Sequence, residues 1–188
     1  MKFKLFSVEI NLPFLVIALM SVVLVLDTSL KFSACLLSAV IHESGHIFAM
    51  YLFSIKPKSI TVKLFDFVID ADIKSGFLSQ FTITIMGPLF NLLFSLSLLP
   101  VSKLLSIANL CIGVFNLLPI LSFDGGHALR LLLCTKFSST VSDNVVKAIT
   151  FVLLVPLLFF GVMVLFYSKY NYSLLLISLY LIAILFTK

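Results

Sequence analysis

Apolar residues run along this chain in blocks long enough to cross a bilayer, separated by short polar punctuation. Charge-free runs occupy 10–26, 75–102, 104–123, 148–168 and 170–187. A further block between Lys31 and Lys56 is free of ionisable side chains apart from His42, Glu43 and His46 and two cysteine-like or phenolic groups of little charge. A spanning helix needs about 20 mostly apolar residues, so the pattern predicts six, the third and fourth parted at Pro100 and Lys103. The stretch 60–72 breaks this rhythm. Ile60, Val62 and Leu64 alternate with Thr61 and Lys63, and Asp66, Asp70 and Asp72 then punctuate a β-branched and aromatic run. Period-two alternation predicts one or two short strands, with an amphipathic loop on the membrane surface as the alternative. The expected fold is an all-α polytopic membrane protein, six transmembrane helices with a short membrane-associated β element after helix two. It forms a single domain over 1–188, with a core at about 31–130 and flanking helices at 9–30 and 147–187.

Composition sharpens this. Of 188 residues 61% are hydrophobic and only 11% charged, against about 25% charged in an ordinary soluble domain. That leaves too little polar surface for a water-soluble protein. The net charge of +5 comes from 13 basic residues scattered singly, with no basic stripe of the kind that binds nucleic acid. They read better as a topology signal. On a six-span count with the N-terminus inside, the inner segments hold Lys2, Lys4, Lys56, Lys58, Lys63, Lys74, Arg130, Lys136, Lys147 and Lys188, and the outer ones Lys31, Lys103 and Lys169. This positive-inside asymmetry predicts an integral membrane protein with both termini cytoplasmic. Lys2 and Lys4 before an apolar run suggest a signal peptide, but Pro13 and the lack of a small-residue cleavage pattern favour a retained first helix. Cys35, Cys111 and Cys134 have neither disulfide nor zinc-type spacing.

Ionisable groups inside a span cost about 2.5–3.5 kcal/mol each on insertion scales, which makes them functional candidates. The second block reads Ile41-His42-Glu43-Ser44-Gly45-His46. His42 and His46 lie one helical turn apart on one face, where both imidazoles can bind one Zn²⁺ and Glu43 can act on water as general base. Zinc lowers the pKa of water towards about 7. A catalytic zinc takes three protein ligands. Helices two and four run in the same direction, so Asp124, at the end of the fourth span, can meet the histidines at similar depth. His127, the remaining histidine, follows Asp124-Gly125-Gly126. Geometry leaves the third ligand open between Asp124 and His127.

His42-Glu43-Ser44-Gly45-His46, with Asn116-Leu117-Leu118-Pro119-Ile120-Leu121-Ser122-Phe123-Asp124-Gly125-Gly126, resembles the paired signature of the site-2 protease family, zinc intramembrane metalloproteases with HExxH and NxxPxxxxDG patterns. Gly87-Pro88-Leu89-Phe90-Asn91 is similar to the glycine-and-asparagine motif of the family's next core helix. The small size and six-helix layout are most like the sporulation branch, which cleaves a membrane-tethered pro-sigma factor. The resemblance implies one zinc per chain held by His42, His46 and Asp124, with Glu43 activating water. It further implies that Asn116 and Pro119 contact substrate, and that Gly87, Asn91, Gly125 and Gly126 support the site. His127 is then an interfacial residue. The implied partners are a membrane-tethered protein substrate, the lipid bilayer, and a membrane regulator or a second copy of the chain, with no nucleic acid. An edge of the β element would receive an unwound substrate strand. No PDZ domain separates the motifs and only Thr187 and Lys188 follow the sixth run, so no nucleotide-sensing CBS domain is expected. The rival reading is a small transporter using His42, Glu43, His46 and Asp124 as a metal or proton relay.

Overall fold

Pro13 closes a strand segment and opens the first helix. Its ring fixes φ near the helical value and its missing N–H would be unsatisfied at a helix start anyway. The computed structural model describes residues 2–5, 8–11, 13–62, 67–71, 76–168, 175–176 and 178–182. In chain order the elements are β1 (Lys2–Leu5), β2 (Val8–Asn11), α1 (Phe14–Leu26), α2 (Lys31–Leu52), β3 (Pro57–Val62), β4 (Phe67–Ala71), α3 (Phe77–Leu98), α4 (Lys103–Leu117), α5 (Asp124–Cys134) and α6 (Ser139–Ser168). They fall into two units, Met1–Phe115 and Asn116–Lys188.

In the first unit the strands form one sheet in the order β1-β2-β3-β4. β1 and β2 are antiparallel (Lys2 opposite Asn11), β2 and β3 parallel (Ile10 opposite Ile60), and β3 and β4 antiparallel (Ile60 opposite Ile69). Pro57, which cannot donate to the ladder, sits at the first position of β3 beside a register shift between Pro57 and Ser59. Ala49, Met50 and Ile83 form the apolar contact between α2 and α3. In α2 the buried positions include Ala34, Ser38, His42, Gly45, His46 and Ala49, while Leu37, Val40, Ile47, Phe48 and Tyr51 are exposed. Small and polar residues inside with large apolar ones outside is the arrangement lipid selects. α3 repeats it, burying Gly87, Asn91 and Ser95 and exposing Leu89, Leu93 and Leu96.

Asp27 starts α2 from outside it. Its carboxylate accepts from the Ser33 backbone N–H at 2.8 Å and the Ser33 hydroxyl at 2.9 Å, which satisfies one of the open donors of the first turn. At α4 the Ser102 Oγ accepts from Leu105 N–H at 3.3 Å, an N-cap contact. Pro119 stops α4. In the second unit Ile120, Leu154 and Leu181 form the core, with Leu118, Phe123, Leu153, Leu157 and Ile182 around it. Arg130 of α5 pairs with Asp143 of α6.

Several expectations need correction. The chain is not all-α, and six membrane helices are not found among the described residues. Among the described residues three helices are long and apolar enough to cross a membrane, α2, α3 and the stretch Ser139–Tyr167 of α6; α4 is apolar but shorter. The run 10–26 divides because Ile10 and Asn11 pair in β2 and the helix starts only at Phe14. The run 104–123 divides because Pro119 cannot donate to the helical ladder, so α4 ends at Leu117 and Asp124 begins α5 rather than ending a span. Most of the run 170–187 lies outside the described residues. The lysine and arginine partition was drawn on six spans, and the placement of both termini loses that basis. The separate β element is replaced by a sheet whose other half is N-terminal. β3 is paired on both sides, which closes its edges to an added strand, while β4 ends the sheet with β3 as its neighbour among the described residues, and 63–66 and 72 lie outside the described residues.

The Ser33 N–H, with the hydroxyls of Ser33 and Ser29, holds the Asp27 carboxyl below the usual carboxylate range. A lowered folded pKa stabilises above the unfolded value, about 3.9, and that stabilisation fades as pH falls through the folded value. Asp27→Ala should therefore melt below the parent protein at neutral pH. The gap should close as pH is taken below about 4; a gap independent of pH in thermal melts would show that the carboxylate does not cap α2.

Candidate metal centre

His42 and His46 are buried on one face of α2, and their rings meet edge to face with centroids 4.8 Å apart and planes at 83°. Each ring is oriented from α3. His46 Nδ1 lies 2.8 Å from the backbone oxygen of Ile83. A carbonyl oxygen only accepts, so this nitrogen carries the proton. His42 Nδ1 lies 2.6 Å from Asn91 Oδ1. The Asn91 amide donates through Nδ2 to the oxygen of Ser38 and to Asn109 Oδ1, both at 2.9 Å. Both rings thus carry Nδ1–H, and their Nε2 atoms face each other at 3.2 Å.

Two imidazole lone pairs at that separation repel unless a cation or a shared proton lies between them. Two nitrogens on one tetrahedral zinc, each about 2.0–2.1 Å from it, stand about 3.3 Å apart. The pair therefore fits a single ion, and the fixed Nδ1–H bonds are those that orient metal-binding histidines generally. Glu43 is half-buried on the same turn of α2.

The rings have room because two glycines meet. A Cβ on Gly87 would overlap the His46 ring, and one on Gly45 would come within 2.6 Å of the Met86 oxygen and 3.0 Å of the Gly87 Cα. Gly113 of α4 lies against Asn91 and Pro88 in the same way, its Cβ position 3.1 Å from the Asn91 Cβ.

The other predicted residues belong to the second unit. Asn116, half-buried, is the last but one residue of α4, and Pro119 lies in the non-helical segment 118–123. Asp124 is the first residue of α5, where the helix N-terminus favours a carboxylate. Gly125 and Gly126 do not form a turn; they are the next helical residues. A Cβ at Gly125 would overlap the Leu117 oxygen and one at Gly126 the Ile120 oxygen, so only glycine lets the segment fold onto the start of α5. Thr150 Oγ1 accepts from Leu121 N–H at 2.9 Å and donates to the Val146 oxygen at 2.8 Å, tying that segment to α6. His127 is exposed, one turn beyond Asp124. Sequence reasoning missed Thr150 and Asn109. An amide in an apolar run carried a signal for Asn109, since such a group is costly in a span.

The family model of Peptidase family M50 matches residues 99–160. A zinc metalloprotease of Methanocaldococcus jannaschii is 28% identical over 204 residues, covering 95% of this chain and 57% of that protein. A relative from Synechocystis sp. is 36% identical over 107 residues, 50% of this chain and 28% of its own length. The chain thus spans about half or less of these two relatives. The solved structure of the site-2 protease from Methanocaldococcus jannaschii matches with a TM-score of 0.70 at 28% identity, over 96% of this chain and 91% of that one.

Gly87→Ala should push the His46 ring off its position and cut zinc per purified chain well below the parent's, measured by plasma mass spectrometry. Gly76→Ala, where a Cβ meets nothing within 4 Å, should keep the parent's zinc. Equal zinc in both would show that the close approach at Gly87 does not set the metal site.

Proposed function

We propose that this chain, which the Peptidase family M50 model matches over 99–160 and which is similar to a solved site-2 protease, is a zinc-dependent intramembrane endopeptidase. It hydrolyses a peptide bond in or near the transmembrane segment of a membrane-tethered protein, in our reading a regulatory factor. The apolar helices and the family together make it an integral membrane protein. The observation that carries the proposal is the facing pair of Nδ1-held imidazoles on a membrane-length helix, with Glu43 between them in sequence.

We assign one zinc per chain to His42, His46 and Asp124, each able to offer one ligand atom, an imidazole nitrogen or a carboxylate oxygen. Zinc, when bound, supplies Lewis acidity to water and to a carbonyl. Glu43 takes a proton from water, the water oxygen attacks the peptide carbonyl carbon, and the proton is passed to the departing nitrogen. Asn116 and Pro119 contact the substrate backbone. Gly87 and Asn91 position the histidines, and Gly125 and Gly126 position Asp124. The catalytic core is 31–130. The relay reading finds no support here, since the named relatives are proteases.

Glu43→Gln tests this directly. In cells co-expressing a single-span, membrane-tethered reporter, cleavage should fall at least about a hundredfold, the lower end for a lost general base, while zinc per chain stays at the parent level. Undiminished, zinc-dependent cleavage by the variant would sink the assignment. Asp124→Asn should instead lower zinc per chain together with cleavage.

A further inference from the structure

A chain of side chains leads away from the histidines into α4, and each link has a definite sense. The oxygen of Leu105 accepts from Asn109 Nδ2 at 2.9 Å. A carbonyl cannot donate, so the Asn109 amide must turn its Oδ1 away from its own helix. That oxygen accepts from Asn91 Nδ2 at 2.9 Å. The Asn91 amide must then present Oδ1 to His42, whose Nδ1 stands 2.6 Å away. An amide oxygen demands a proton on Nδ1, and a neutral ring with its proton there keeps a lone pair on Nε2. The reverse Asn91 orientation would face His42 with an N–H, favour the proton on Nε2 and remove the lone pair a metal needs.

We infer that Asn109, which touches neither ligand nor reacting atoms, is a positioning residue that, together with the Ser38 oxygen, holds the Asn91 amide and through it the tautomer of His42. The inference deepens the proposed function and rests on reading His42 as a zinc ligand. Asn91 and Asn109 are both fully buried, so water does not substitute for either bond. The Ser38 oxygen holds one Asn91 hydrogen, and Asn109 holds the other. Removing Asn109 leaves a buried N–H without its acceptor and the amide fixed by a single bond. His46 has no such dependence, because its Nδ1 partner is the backbone of Ile83. It therefore serves as an internal reference.

The helix pair supplies a control. Ser106 of α4 donates to the Ser95 oxygen at 2.8 Å and lies 3.3 Å from the Ser95 hydroxyl. Ser106→Ala loosens the α3–α4 contact without touching the Asn91 amide.

The test compares the full chain in detergent, metal-free and ¹⁵N-histidine labelled, as parent, Asn109→Leu, Asn109→Asp and Ser106→Ala. In the parent, His42 Nδ1 should carry a proton, whether or not Nε2 shares one with His46. Asn109→Leu should move His42 towards the other tautomer, leave His46 unchanged, and weaken zinc affinity by chelator competition about tenfold, the low end for an outer partner of a metal ligand. Asn109→Asp keeps an acceptor oxygen and should restore both readouts. If Asn109→Leu does not fold, Asn109→Ala takes its place with the same expectations. An unchanged His42 tautomer, or equal effects from Ser106→Ala, would overturn the inference. A tautomer that shifts in a chain whose parent form binds no zinc would instead overturn the metal reading and leave the positioning role standing.

Discussion

In hydrocarbon there is no water to satisfy a polar group, so every such group on a membrane-length helix needs a partner from the protein. α2 places two imidazoles on one face and α3 answers with two acceptors, the Asn91 amide oxygen and the Ile83 backbone oxygen. Those bonds require the two backbones to come close, and Gly45 and Gly87 leave out the carbons that would prevent it. The residues around the histidines therefore form one solution to one constraint. The network extends to Asn109 because the Asn91 amide also needs acceptors for its two hydrogens.

The second unit solves a different problem. After Pro119 the chain must leave α4 and start α5 within a few residues. The Leu121 N–H is taken up by Thr150 and the segment is pressed against Gly125 and Gly126. Asp124 is thereby held at a helix start, and α5 is pinned to α6 by Arg130 and Asp143. The glycines beside Asp124 serve close packing rather than backbone freedom, which explains why two occur in succession.

Membrane residence and the site share a cause. Large apolar side chains turned outward and small polar ones turned inward suit lipid, and the inward face is where His42, His46 and their partners collect. The fold of the Methanocaldococcus jannaschii site-2 protease matches nearly the whole chain.

The pairing of His42 and His46 was legible in the sequence. Helical spacing alone puts His42 and His46 on one face with Glu43 beside them, and the penalty on charge in a span marks them as meaningful. Pro119 is visible in the sequence too; it divides the run 104–123, and a count of six spans fails there and at Pro13. The alternation in Lys2–Leu5 and Val8–Asn11 was also present. Four residues are too few to separate a strand from the start of an apolar helix, and only pairing with β3, some fifty positions away, makes them a sheet. Local spacing determines which groups share a helix face, because that follows from the geometry of a single helix. Partners on other elements, such as Ile83 for His46, Asn109 for Asn91 and Thr150 for Leu121, were decided only by the tertiary structure, because a hydrogen bond between distant positions leaves no period in the sequence.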